Sequence, residues 1–543
     1  MKRLLLLLLS FIGSVFLSVY AADTVYVRET QIPILIERQD NVLYYLRLDA
    51  RDSHQLDEIV LNFEDGTNLV DIQAVKLYYG GTESRNIMSK NRFAPMGYMT
   101  NFTPGKTMAA LPSYSILKSE VKKPEQKVVL EGKQNLYPGI NYFWISLQMK
   151  PTTPLTDKLK VKLTSVSLDG VSAPINVVSA DDIEHRMGTG VRHAGDDGVA
   201  AYRIPGLVTT KKGTLLSVYD VRYNNSVDLQ EHVDIGLSRS IDGGQSWEKM
   251  RIPLAFGEDG GLPSAQNGVG DPAILVNDKD NSIWIIALWT HGMGNQRAFF
   301  HSVEGMDKEH TGQLVLAKST DDGKTWSAPI NITKQVKHPS WRLLFQGPGR
   351  GITMQDGTLV FPIQFVDSAG MPHAGVMYSK DSGKNWKIHN PARSNTTEAQ
   401  VVEIEPGILM LNMRDNRGGS RAVCITKDLG ETWIEHPSSR SALREPVCMA
   451  SLISVKAKDN CLKRDILLFS NPDTTKGRHH ITIKASLDNG VTWLPEHQIM
   501  LDEDESWGYS CLTMVDAETV GILYESSVAQ MTFQTVKLKD LIR

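Results

Sequence analysis

The sequence predicts an all-β protein, with a β-propeller over residues 183–543 and a β-sandwich over 22–182 in front of it. Three observations carry this. The phrase S/T-x-D-x-G-x-x-W occurs five times, ending at Trp247, Trp326, Trp386, Trp433 and Trp493. A run rich in β-branched residues and alternating in polarity precedes each copy, as in "HVDIGLSRS" and "HHITIKAS". Finally, the region before the first copy holds only short strand-like runs between turn residues, and long amphipathic helical patterns are absent throughout.

The five phrases read as scaffold. Their aspartates (Asp242, Asp321, Asp381, Asp428 and Asp488) lie 47 to 79 residues apart. Such an interval fits a four-stranded blade plus variable loops. Within the phrase, Asp is expected to accept from backbone N–H groups about two residues on, Gly supplies a positive φ, and the hydroxyl residue caps the turn. The Trp is expected to begin the next strand and pack on the blade. Turn chemistry alone accounts for every fixed position, so function should lie elsewhere.

Before the propeller, "TVYVRE", "YYLRLDA", "EIVLNF", "AVKLYYG", "KVVLEG", "NYFWISLQM" and "KVKLTSVSLD" are the candidate sandwich strands. Such a domain could bind carbohydrate or act as a passive spacer, and the residues leave both open. The first residues, "MKRLLLLLLSFIGSVFLSVYAADT", have a basic start, an apolar run and small residues at Ala21 and Ala22. They read as a signal peptide over 1–21, so the protein is expected to be exported to the periplasm or the exterior without stable membrane insertion. A net charge of -4 provides no global basic field for nucleic acid. Four cysteines (Cys424, Cys448, Cys461 and Cys511) allow three pairings or none, and no C-x-x-C pair suggests a zinc site.

Propeller sites form where blade loops converge on the axis. Four stretches outside the turn phrases hold candidates: "AAYRIPGL" with Arg203, "LNMRDNRGG" with Arg414, "TTKGRHHI" with Arg478 and "WGYSCLTM" with Tyr509. A planar guanidinium matches a carboxylate, and charge-assisted pairs are the strong ones, so an arginine cluster selects an anionic ligand.

Y-R-I-P followed by five aspartate-box turns resembles the exo-α-sialidase (neuraminidase) family of bacterial and animal type, over about residues 190–543. The resemblance implies a six-bladed propeller in which Arg203, Arg414 and Arg478 hold the sialic acid carboxylate. Glu525, in "GILYESS", matches the acid that braces the first arginine. Tyr509 matches the nucleophile and Glu398, in "NTTEAQ", its base. Sialidases use tyrosine where other retaining glycosidases use a second carboxylate. A neutral phenol avoids repulsion from a substrate that carries its own carboxylate, but it needs a base beside it. In "SVYDVRYNNSVDLQEHVDIG" the spacing of the resemblance selects Arg222 and then Asp228 as general acid/base, over Asp220 and Asp234. Asp271, in "VGDPAIL", matches an acid that contacts the sugar's hydroxyl or N-acetyl side. Trp289, in "IIALWTHG", is the candidate apolar wall under the N-acetyl methyl.

The activity so implied is hydrolysis of terminal α-linked sialic acids from glycoproteins, gangliosides and sialyl-oligosaccharides. It proceeds with retention through a tyrosyl intermediate and requires no metal or organic cofactor. A trans-sialidase, including an intramolecular one, would share that intermediate. A non-catalytic sialic-acid lectin would be expected to lack the tyrosine, glutamate or aspartate, and all three are present.

Overall fold

The computed structural model describes residues 23–82 and 115–543; the leader read as a signal peptide falls outside them. The N-terminal part is two facing sheets. One runs Ile175–Val177, Thr24–Glu29, Asn41–Ala50, Gly139–Met149, Ile72–Gly81, Ile116–Lys122, and the other Val171–Ser172, Val161–Leu168, Gln55–Phe63, Lys127–Asn135. Alternation drives the packing: Val25, Val27, Leu46 and Leu48 from one sheet meet Ile59, Leu61 and Val128 from the other in a dry core. Each quoted run lies in a strand. The strand Ile116–Lys122 was missed because most of its side chains are exposed and it carries no apolar alternation.

Six sheets, each built on four antiparallel strands, follow in chain order, with a separate short pair, Gly419–Ser420 and Arg444–Glu445, beside the fourth. Their first strands are Ala201–Thr209, Val269–Val276, Leu343–Gln346, Thr396–Glu405, Ser451–Val455 and Ser510–Met514. Ala201–Thr209 lies against both Val269–Val276 and Ser510–Met514, so the sixth sheet meets the first and the ring closes. The sixth sheet takes its fourth strand, His185–Arg192, from the beginning of the domain, where it pairs with Met531–Lys537 on one side and with Ile34–Leu35 on the other. Each aspartate-box phrase joins the third strand of a sheet to its fourth, and in the sixth sheet no such turn exists to be made. Five phrases for six sheets is therefore a consequence of how the ring closes.

The boxes also differ in detail from the expectation. In the first, Ser240 Oγ accepts from Gly244 N–H at 2.8 Å and donates to Asp242 Oδ1 at 2.7 Å. Asp242 accepts from the N–H of Ser246, four residues on rather than two, at 3.0 Å. The tryptophans precede the fourth strands instead of starting them; in three boxes the indole N–H turns back to the glycine carbonyl, at 3.1 to 3.3 Å. The box glycine has a second job. A Cβ on Gly244 (φ +93°) would lie 2.0 Å from Phe533 of the sixth sheet, and one on Gly383 would lie 2.6 Å from Trp284 of the second. Each turn thus wedges against the sheet before its own.

Antiparallel alternation separates scaffold from site. Starts of first strands, ends of second strands and the links to third strands share one face of the ring. The box turns, after third strands, fall on the opposite face. All four cysteines are unbridged, and Cys424, Cys448 and Cys511 are buried. Among the described residues no helix is long and apolar enough to cross a membrane.

The box carboxylates respond to acid. Hydrogen bonds from Thr432 and Thr426 lower Asp428 to about 2. Its stabilisation is therefore present above the ordinary aspartate range and is lost as pH falls through about 2. Asp428→Asn should be less stable than the parent at pH 6, and thermal midpoints of the two should converge as pH approaches 2.

Candidate active site

Three first strands break register where they deliver site residues: between Arg203 and Gly206, between Gly270 and Ala273, and between Thr396 and Ala399. A bulge bends its strand and re-aims side chains. Ile204 (φ +63°) and Asp271 (φ +56°) lie within two of these bulges. Both precede proline, which disfavours the right-handed helical conformation in its predecessor. A β-branched residue at positive φ is strained by about 1–3 kcal/mol, and its surroundings must hold it there. Glu525 Oε1 does so by accepting from Ile204 N–H at 3.0 Å; Asp220 Oδ1 does the same for Asp271 N–H at 2.8 Å.

The three arginines, 275 residues apart at the extremes, meet around one phenol. The Arg203 and Arg478 guanidinium carbons lie 5.4 and 5.7 Å from the centre of the Tyr509 ring, and Arg414 Nη1 lies 3.3 Å from its hydroxyl. Tyr509 Oη donates to Glu398 Oε1 at 2.5 Å, and Arg414 Nη1 donates to Glu398 Oε2 at 2.7 Å. Burial pushes the phenol well above its ordinary range and Glu398 adds to this, while Arg414 and Arg478 pull the other way. The resting group is a neutral phenol with its proton already directed at a carboxylate. Glu525, fully buried, accepts from Arg203 Nε at 2.7 Å and from Tyr509 N–H at 3.0 Å. Among the described residues the buried Arg414 Nε has no hydrogen-bond partner.

Asp228 stands on the link from the second to the third strand of the first sheet, with its side chain 57% exposed. Arg222, itself buried, donates to Asp228 at 2.9 Å, to Ser226 O at 2.7 Å and to Asp220 at 2.8 Å. Burial raises Asp228, but Arg222, Arg203 and Arg297 together bring it below the ordinary aspartate range. Asp271 is pushed far the other way by burial and by Asp220 beside it, which favours its protonated form. Asp234 accepts from Tyr223 Oη at 3.1 Å and does not line the cavity that Asp228 lines.

Asp228, Asp271, Glu398, Arg414 and Tyr509 line one cavity of about 380 Å³. Trp289 does not, which corrects the expectation for it. It stacks on Phe256 at 4.0 Å in the core between the first and second sheets. Strand alternation explains the miss: adjacent residues face opposite ways, so Leu288 enters the cavity and Trp289 leaves it. Leu288, Leu343, Phe299 and Phe345 form the apolar wall instead.

Sequence reasoning weighed Asp220 only as a rival to Asp228 and missed its place under Arg222 and Asp271, and it passed over Trp507 and Arg297. Asp220 was legible, since it lies two residues before Arg222 and so on the same strand face. Trp507, under Arg203 at 4.6 Å, and Arg297, on a link between strands, had no signal in the local pattern. Among the described residues no cluster of His, Cys, Asp or Glu could hold a metal ion.

A phenol hydrogen-bonded to a carboxylate, ringed by guanidinium groups and sharing its cavity with further carboxyls, defines a glycosidase for anionic sugars. Comparison with known proteins agrees. Residues 22–172 match the N-terminal domain of BNR-repeat neuraminidase, and residues 204–525 match a BNR repeat-like domain. A sialidase of Bacteroides fragilis is 72% identical, over 97% of this chain and 96% of its own. A sialidase of Paraclostridium sordellii is 31% identical, over 60% and 81%. A solved Hadza microbial sialidase superposes with a TM-score of 0.90 at 56% identity, covering 95% of this chain and all of its own. The chain belongs to the BNR-repeat neuraminidase family and is an exo-acting sialidase, a glycoside hydrolase.

Glu525→Ala would leave Arg203 buried without its counter-charge, a loss of about 3–5 kcal/mol. Urea unfolding should show that loss, and any folded fraction should bind substrate more weakly as Arg203 swings free.

Proposed function

We propose that the protein hydrolyses terminal α-linked sialic acids with retention of configuration, through a covalent intermediate on Tyr509. The cluster of Arg203, Arg414 and Arg478 around a phenol that donates to Glu398 carries this reading. The guanidinium groups take the substrate carboxylate and so bring the anomeric carbon over the phenol oxygen. As Tyr509 Oη bonds to that carbon, its proton passes to Glu398. The bond to the aglycone breaks, and the aglycone oxygen takes a proton from Asp228. In the second half, Asp228 accepts a proton from water as the water oxygen bonds to the same carbon. The phenolate departs and recovers its proton from Glu398. Positive charge developing at the sugar is stabilised by the phenolate and by carboxylates already in place.

Asp228 must be protonated to act first, yet its three cationic neighbours hold it low in the empty site. A bound substrate carboxylate neutralises part of that charge and its aglycone covers the exposed carboxyl, and both effects raise Asp228. Leu288, Phe299 and Phe345 suit the N-acetyl methyl, and protonated Asp271 suits a neighbouring sugar hydroxyl. Sialylated glycoproteins, gangliosides and oligosaccharides all present the terminal residue this cavity would take. The basic start, apolar run and Ala21–Ala22 support export to the periplasm or the exterior.

Release of a fluorogenic aglycone from an α-sialoside tests the nucleophile. Tyr509→Phe should lower kcat by at least about 10²-fold; an equal rate in the two enzymes would overturn the assignment. Arg297→Ala removes one cation that lowers Asp228. Its pKa should rise, so the acid stays protonated to higher pH. The alkaline limb of the kcat/KM profile should then move upward.

A further inference from the structure

The nucleophile reaches its place on an irregular connection. The fifth sheet ends with Gln498–Asp502 and the sixth begins with Ser510–Met514. Between them run Glu503, Asp504, Glu505, Ser506, Trp507, Gly508 and Tyr509, outside any strand or helix. Trp507 supports Arg203 from this stretch, and its carbonyl accepts from Arg478 Nη1 at 3.0 Å. Two of the three guanidinium groups are therefore indexed to the same connection as the phenol.

The first half of that connection is held by the N-terminal sandwich. Arg28 Nη2, on the strand Thr24–Glu29, donates to Glu503 Oε1 at 2.9 Å and to Asp504 Oδ1 at 3.3 Å. Gln31 N–H donates to Glu503 Oε1 at 3.1 Å, Glu503 N–H returns a bond to Gln31 O at 2.9 Å, and Gln31 Nε2 reaches Met500 O at 3.1 Å. The sandwich also covers the other flank of the nucleophile. Ile32, Leu35, Tyr45 and Trp144 pack with Val528 and Ala529, in the turn just after Glu525, and Arg38 donates to Val528 O at 2.8 Å. Asp502 ties the two flanks together, accepting from Ser527 N–H at 2.6 Å and from Ser527 Oγ at 2.9 Å.

We propose that the N-terminal sandwich is part of the catalytic machinery's frame, with Arg28 as a positioning residue that sets Tyr509 through Glu503 and Asp504. Asp502 is fully buried, which pushes it up to about 7 and toward its neutral form, so the pair that matters in this corner is the successive carboxylates Glu503 and Asp504. Arg28 is the cation that bonds both directly. Without it their mutual repulsion relaxes by moving the connection, and Trp507 and Tyr509 move with it. Each guanidinium group also keeps an anchor off the connection: Arg203 on Glu525, Arg414 on Glu398 and Arg478 on Val447 O at 3.3 Å. The rate constant should therefore suffer more than binding. A displacement near 1 Å at a reacting atom costs up to about 10²-fold.

The inference rests on Tyr509 as nucleophile. That reading fails if Tyr509→Phe keeps the full rate; this one fails by a different variant. In the full chain, kcat and KM for the fluorogenic α-sialoside are measured for Arg28→Ala and Arg28→Lys, with rates taken per folded molecule by circular dichroism. The expected result for Arg28→Ala is a kcat lower by about ten-fold or more, with KM within about three-fold, and recovery of most of the loss in Arg28→Lys. A kcat for Arg28→Ala within two-fold of the parent would overturn the proposal, as would an effect confined to KM. If Arg28→Ala does not fold, Arg28→Gln takes its place, keeping a donor for Glu503 while removing the positive charge. A fall in its kcat at unchanged KM supports the proposal, and an unchanged kcat overturns it.

Discussion

One buried carboxylate holds the site together. Glu525 sits just after the second strand of the sixth sheet and touches two sheets at once. It accepts from Arg203 Nε and from Ile204 N–H, both on the first sheet, and from the N–H of Tyr509 on the approach to its own. The place where the ring closes is thus also where the first arginine is set against the phenol. A charge this deep is tolerable because every contact to it is a donor, two of them backbone groups that cannot move away. The strained Ile204 is part of the same arrangement, since its positive φ turns the N–H toward the carboxylate.

The molecule keeps stability and chemistry on opposite faces. The five boxes brace each sheet against the one before it, using a hydroxyl, a carboxylate and a glycine that lets a neighbouring aromatic or aliphatic side chain come close. The site occupies the other face, where bulges interrupt the first strands and where carboxyls that share one cavity are driven apart by unlike surroundings. Asp228 is drawn low by three cations and Asp271 is pushed high by burial and a neighbouring acid. A link exposed to solvent suits the group that must meet an aglycone. A buried bulge suits the group that meets only the sugar.

Much of the site could be read from the chain because its residues sit in short phrases whose chemistry is local. Arg203 two residues before a proline, Arg414 at the end of an apolar strand and Tyr509 after a glycine each carry their own context. The failures have two causes. Trp289 and Leu288 are neighbours, and a strand turns one inward and the other outward. Composition cannot say which, because a bulge or a one-residue shift of register reverses the answer. Trp507 and Arg297 lie on irregular links with no periodicity to read.

The chain by itself determined the repeating unit, the alternation that buries each sheet, and the residue types able to grip a carboxylate and activate a phenol. These follow from contacts between residues close in sequence. Three pairings come from the assembled fold alone: the fourth strand of the last sheet comes from the start of the domain, the first sheet of the ring meets the sixth, and Arg28 reaches Glu503 across 475 positions. Such pairings depend on which surfaces meet once all the sheets are formed, and no local pattern of side chains records that.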